Sequence, residues 1–118
     1  MKVKYCDYCE IYRPPRTSHC YDCNHCIERF DHHCPWIGTC IGKRNYPYYF
    51  AFVSSLTVQS VLVIIQSIYV MANLKISVET GFFVINVILT LLVFLGFGFV
   101  ATLISFHIYL TYHNVTTN

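Results

Sequence analysis

Two long uncharged apolar runs follow a polar, cysteine-rich head. From Tyr48 to about Leu74 the sequence is apolar with scattered Ser, Thr and Gln, and from Gly81 to about Leu110 a second run is richer in Phe, Val, Ile and Leu. At a rise of about 1.5 Å per residue, each run is long enough as a helix to cross a hydrocarbon core of roughly 30 Å. The second exceeds what a crossing requires, so its last turns are expected to emerge into water or to tilt. Ser54, Ser55, Gln59, Ser60, Gln66 and Ser67 in the first run read as helix–helix contact positions. Ahead of the runs, short spacings between cysteines and the pair Pro14-Pro15 predict tight turns and short hairpins rather than long elements. The expected division is a head at 1–47, a transmembrane helix at 48–74, a short extracytosolic connection at 75–80, a second transmembrane helix at 81–110 and a tail at 111–118. The fold class is therefore a membrane protein, with a small cysteine-rich cytosolic domain followed by an all-α transmembrane helical hairpin.

Charge sharpens this division. Seven of the eight Lys/Arg and five of the six Asp/Glu lie within residues 1–44 of the 118-residue chain, leaving only Lys75 and Glu79 beyond. Roughly a quarter of the residues in soluble domains are charged, so seventy nearly uncharged residues do not fit a soluble fold. Lys43 and Arg44 stand just before the first run, and Tyr46, Tyr48, Tyr49 and Phe50 supply interfacial aromatics. These two cations outweigh Lys75, which places the head and both termini in the cytosol, in an endomembrane or the plasma membrane. On that side the acceptor sequence Asn114-Val115-Thr116 is expected to stay unmodified. Met1 is not followed by an apolar stretch with a cleavage site, so no signal peptide is expected. A net charge of +2 is too small to argue for nucleic acid as a partner.

The head carries the candidate chemistry. Seven cysteines with His19, His25, His32 and His33 make eleven possible soft-metal ligands. An odd cysteine count behind no secretion signal favours reduced, metal-bound thiols over disulfides. Cys6-x2-Cys9 and His19-Cys20-x2-Cys23-x2-Cys26 have the short spacings of zinc knuckles. Two tetrahedral zinc sites would use eight ligands and leave three over, and spacing alone does not say which three. His25 reads as a surface residue between ligands, His107 as a histidine near a helix end, and His113 as lying past the membrane surface.

Asp31-His32-His33-Cys34, followed by Pro35-Trp36, adds something that a structural zinc module does not need. A carboxylate can orient an imidazole, the imidazole can take a proton from a thiol, and the resulting thiolate is a nucleophile.

These residues form a connected pattern. Cys6-x2-Cys9, Arg13-Pro14-Pro15-Arg16, His19-Cys20-x2-Cys23-x2-Cys26, Asp31-His32-His33-Cys34-Pro35-Trp36, Cys40-Ile41-Gly42 and Asn45 follow one another along the head. Over about residues 5–50 the chain resembles the cysteine-rich domain of the DHHC-type protein S-acyltransferases, the palmitoyltransferases. The two apolar runs look like the third and fourth transmembrane helices of that family, and Thr116-Thr117-Asn118 looks like the start of its Thr-Thr-x-Glu motif. Tyr49 stands where the family commonly has phenylalanine, and Thr39 where it often has asparagine. Nothing here resembles the two helices that usually precede the head, so the chain looks like the second half of such an enzyme or a short divergent relative.

The resemblance implies one structural Zn2+ held by Cys6, Cys9, His19 and Cys26, and a second held by Cys20, Cys23, His33 and Cys40. It implies Cys34 as nucleophile, His32 as base and Asp31 as the group that orients it. The implied reaction transfers a long-chain acyl group from acyl-CoA (palmitoyl-CoA) through acyl-Cys34 to a cysteine of a substrate protein at the bilayer surface. Arg13, Arg16, Lys43 and Arg44 are candidates for the CoA phosphates, and Trp36 for the floor of the acyl site. The alternatives are a zinc-stapled membrane adaptor without catalysis, and a fragment with an incomplete acyl tunnel.

Overall fold

The computed structural model describes residues 3–73 and 80–118. In chain order the elements are β1 (Tyr5–Cys6), β2 (Ile11–Tyr12), β3 (Thr17–Cys20), β4 (His25–Glu28), β5 (His32–Cys34), β6 (Thr39–Ile41), α1 (Tyr46–Asn73) and α2 (Thr80–Tyr112). The strands pair as three antiparallel hairpins, β1–β2, β3–β4 and β5–β6. The chain divides into two compact units, one comprising the head up to Phe50 with Ile108–Asn118, the other Ala51–His107. The expected connection at 75–80 lies outside the described residues except for Thr80, which opens α2.

Each hairpin turns where the sequence permits a left-handed residue. Glu10 and Asn24, each directly after the second cysteine of a Cys-x2-Cys pair, have φ of 53° and 52°. Between β2 and β3 the Thr17 amide bonds the Pro14 carbonyl at 3.1 Å, with Pro15 and then Arg16 at φ 61° in the middle. This is the arrangement of a type II turn, with proline first and a positive φ second. The double proline thus sets a tight turn that holds Arg16.

The head has almost no aliphatic core. Its buried side chains are chiefly Cys6, His19, Cys20, Asp31, Cys34, Cys40, Ile41 and Tyr49. So short a segment rarely buries enough apolar surface to fold alone, and sulfur and imidazole occupy the centre instead.

Helix α1 starts two residues before the expected membrane run. Asn45 takes the N-cap position: its carbonyl accepts the Tyr49 amide at 3.0 Å, its Oδ1 accepts the Gly42 amide at 2.9 Å, and its Nδ2 donates to the Cys40 carbonyl at 2.8 Å. Pro47 falls in the first turn, where its missing N–H costs nothing. The cap thus ties the start of α1 to strand β6. Gly42 is required there, because a Cβ would lie 2.5 Å from Ile27 Cγ2 and 3.0 Å from the Glu28 carbonyl.

In the second unit, apolar side chains such as Leu62, Ile65, Leu91, Leu92 and Phe94 are more than half exposed. Both helices are long and apolar enough to cross a membrane, and they are apolar all round, as lipid-facing helices are. Their hydroxyls turn inward on their own helix: Thr57, Ser60, Thr90, Thr102 and Ser105 donate to carbonyls four residues back, and Ser55 donates to the Phe52 carbonyl. Ser55 and Ser60, expected at helix–helix contacts, thus satisfy their donors locally, the solution open to a hydroxyl with no water nearby. His107 is an exception to the exposed pattern, being 2% exposed.

Candidate active site and metal centres

Strand alternation sorts the ligands. Neighbouring residues on a strand face opposite sides, so His19 and Cys20 on β3 go to different clusters, as do His32 and His33 on β5 to different tasks. Residues directly opposite across a hairpin lie close together. His19 pairs with Cys26 across β3–β4, and His33 pairs with Cys40 across β5–β6. Each pair meets a Cys-x2-Cys turn, giving the clusters Cys6, Cys9, His19, Cys26 and Cys20, Cys23, His33, Cys40.

In the first cluster, His19 Nδ1 lies 3.5, 3.3 and 3.9 Å from the sulfurs of Cys6, Cys9 and Cys26. In the second, His33 Nδ1 lies 3.7, 3.4 and 3.6 Å from those of Cys20, Cys23 and Cys40. Tetrahedral Zn–S and Zn–N bonds of about 2.3 and 2.0 Å set an S···N separation of about 3.5 Å. Both donor sets therefore fit a zinc ion, and each closes four protein ligands. The electrostatics agree. Burial, then the neighbouring Cys6 and Cys9 sulfurs, pushes the Cys26 thiol up to about 12. Burial, then the sulfurs of Cys23 and Cys20, likewise raises Cys40. Crowded thiols resist ionising together until a cation shares them.

His32 and Cys34 share the face of β5 away from the second cluster. Asp31, with a fully buried side chain, accepts a 2.7 Å hydrogen bond from His32 Nδ1 through Oδ2. The carboxylate is acceptor-only, so a neutral His32 carries its proton on Nδ1 and leaves Nε2 basic. The edge of the His32 ring meets Tyr49, with centroids 5.2 Å apart and planes at 69°. Cys34 is 6% exposed, and its carbonyl accepts the amides of Ile37 and Gly38 at 3.2 and 2.9 Å. That turn, with Gly38 at φ 70°, presents Trp36 at 92% exposure. Trp36 therefore forms no part of the packed head, and any contact with an acyl chain would be made from its surface.

The tail enters this site. The Thr117 amide donates to Asp31 Oδ1 at 3.0 Å, and the Thr117 hydroxyl donates to the Asp31 carbonyl. Asp31 is thus held on both sides, by Thr117 and by His32. The sequence signalled Thr117 only as part of a motif, and nothing in the spacing joined residue 117 to residue 31. Tyr49, Asn45 and Gly42 stand out in the sequence as family positions, and their contacts are visible only in the fold.

The four candidate cations for phosphate do not converge. Arg13 and Arg16 line a cavity of about 540 Å3 with Lys4, Thr17 and Ser18, where Arg13 Nε and Thr17 Oγ1 are buried without a hydrogen-bond partner among the described residues. Lys43 and Arg44 line a different cavity, and Lys43 is paired with Glu28. His25 is exposed, its Nδ1 2.6 Å from the Cys23 carbonyl.

Comparison with known proteins follows the same lines. The family model described as DHHC palmitoyltransferase matches residues 1–118. Protein S-acyltransferase 8 of Arabidopsis thaliana is 46% identical over 123 residues, covering 99% of this chain and 30% of that protein. Palmitoyltransferase ZDHHC9 of Bos taurus is 44% identical over 124 residues, covering 100% of this chain and 34% of that protein. The chain spans about a third of the length of the curated relatives it matches. With its two Cys3His clusters, its Asp-His-His-Cys strand and its pair of long apolar helices, this chain belongs to the DHHC palmitoyltransferase family.

Proposed function

We propose that this chain carries the catalytic core of a protein-cysteine S-acyltransferase. The observation that carries this reading is the 2.7 Å bond between buried Asp31 and His32 Nδ1, two residues before Cys34 on the same strand face. His32 Nε2 takes the proton of the Cys34 thiol, and the thiolate attacks the carbonyl carbon of a long-chain acyl-CoA. The carbon–sulfur bond to CoA breaks, and the proton passes from the imidazolium to the departing CoA thiolate. In the second half, a substrate-protein thiol gives its proton to His32 and attacks acyl-Cys34, which regenerates the Cys34 thiol. Each half exchanges one thioester for another, so little net free energy is needed and the site has only to lower the barrier.

Zinc in both clusters would supply folding energy rather than Lewis acidity, because no coordination position is left open. Arg13 and Lys4 around the unpartnered Arg13 Nε are the better set for the CoA phosphates, since charge-assisted bonds would satisfy that nitrogen, whereas both terminal nitrogens of Arg16 are engaged by Asn114. The apolar helices suit a bilayer, where the acyl chain of the donor resides, with the head and both termini in the cytosol. The test is Arg13→Glu in a palmitoyl-CoA titration of Cys34 acylation. The expected result is a raised half-saturating concentration with the maximal rate kept, and an unchanged half-saturating concentration would remove Arg13 from the donor site.

A further inference from the structure

The segment after α2 is fastened to the head at three places: at Asn114, at Thr117, and at Asn118, whose Nδ2 donates to Ser18 Oγ at 2.6 Å. At the first, the Val115 amide bonds the Leu110 carbonyl at 3.0 Å and the Asn114 amide bonds the Thr111 carbonyl at 3.1 Å. With Asn114 at φ 51°, this is the left-handed closure that ends many helices. The Asn114 side chain is then gripped. Its Oδ1 accepts from Arg16 Nη1 at 3.2 Å and from Arg29 Nη2 at 2.9 Å, and its carbonyl accepts from Arg16 Nη2 at 2.8 Å.

All three residues lie in the left-handed region, Arg16 at φ 61° and Arg29 at 47°. Arginine seldom adopts it, because its Cβ crowds the next carbonyl. Two guanidiniums so held at the end of α2 meet the partial negative charge of its last carbonyls. Three residues further on, Thr117 makes the second attachment, on both the side chain and the carbonyl of Asp31.

We propose that Arg29 and Asn114, with Arg16 alongside, are positioning residues: they fix the tail so that Thr117 holds Asp31 in register with His32. This rests on the acyl-transfer reading of Asp31, His32 and Cys34. Three residues of chain reach only about 10 Å, so the clamp at Asn114 limits where Thr117 can go. The clamp and the turn can be separated by chemistry. Glycine is the best residue for the left-handed closure but keeps only the backbone carbonyl that Arg16 reaches and has no side-chain acceptor for Arg16 or Arg29, whereas aspartate keeps that acceptor.

The experiment uses the whole zinc-loaded chain in detergent, as wild type, Asn114→Gly, Asn114→Asp and Arg29→Gln. Amide exchange is read at Thr117 and Val115, and single-turnover acylation of Cys34 is followed across a palmitoyl-CoA titration. The clamp predicts that Asn114→Gly and Arg29→Gln speed Thr117 exchange and lower the maximal acylation rate, each by about tenfold, the worth of one charge-assisted bond. Val115 protection and the half-saturating concentration stay as in wild type, and Asn114→Asp behaves like wild type. Asn114→Gly matching or exceeding Asn114→Asp, with Thr117 still protected, would overturn the proposal, since that is the order a helix end alone would give. A wild type that protects Thr117 yet leaves Cys34 unacylated would contradict the acyl-transfer reading while the exchange data upheld the clamp.

Discussion

His32 and His33 are adjacent, and the pleat of β5 gives them opposite surroundings. His33 Nδ1 meets three sulfurs, while His32 Nδ1 meets one carboxylate. Replacing Asp31 by Asn would put an amide where the carboxylate now sets the tautomer. Asp31→Asn is expected to slow Cys34 acylation by about 10²- to 10⁴-fold, the range of general-base contributions, with both metals retained; this is read by single-turnover kinetics and metal analysis. Thr117→Val removes the hydroxyl but keeps the backbone amide bond to Asp31, so a loss of no more than about tenfold is expected, the worth of one hydrogen bond. A loss as large as that of Asp31→Asn would show Thr117 acting by more than positioning. At this scale the sequence was legible where neighbours in space are neighbours in chain, as Asp31, His32 and Cys34 are. It was silent where they are not: Thr117 stands 86 positions from Asp31.

The strands of hairpins β1–β2, β3–β4 and β5–β6 are two to four residues long, and each hairpin contributes ligands that only a neighbour can complete. The third supplies His33 and Cys40 but takes Cys20 and Cys23 from the second. Each hairpin is therefore expected to depend on metal, and stripping zinc with a chelator is expected to abolish the strand structure of the head while leaving α1 and α2 helical. Binding energies of about 10–16 kcal/mol for a structural zinc site far exceed what so small a core provides, and amide exchange read segment by segment checks the outcome. The proton competes with metal at these thiols, so release should become easier as pH falls. Gly42→Ala tests the junction of β6 with α1: forcing a Cβ against Ile27 is expected to destabilise the head by about 1–3 kcal/mol in a denaturant titration. The long apolar helices were plain in the sequence because every turn of a lipid-facing helix is apolar. Where α1 begins was not, because the cap is made by Asn45 reaching back to Cys40, and the proline that marked the junction is one that a first helical turn accepts.

At the scale of the whole molecule, the chain joins a sulfur-centred head to helices that only a bilayer solvates. Many large apolar side chains of α1 and α2 are exposed, Leu62, Ile65, Leu92 and Phe94 among them. The proposed cytosolic placement of the head, argued from Lys43 and Arg44, predicts that the head is open to protease in sealed microsomes, and a protected head would reverse that topology. The claim on which the rest depends is a thioester on Cys34. Intact mass spectrometry of the zinc-loaded chain in detergent, with and without palmitoyl-CoA and beside Cys34→Ser, tests it most directly. The expected result is one added palmitoyl group, removed by hydroxylamine and absent from Cys34→Ser. A chain holding both metals that gains no palmitoyl group, or gains one that persists in Cys34→Ser, would contradict it.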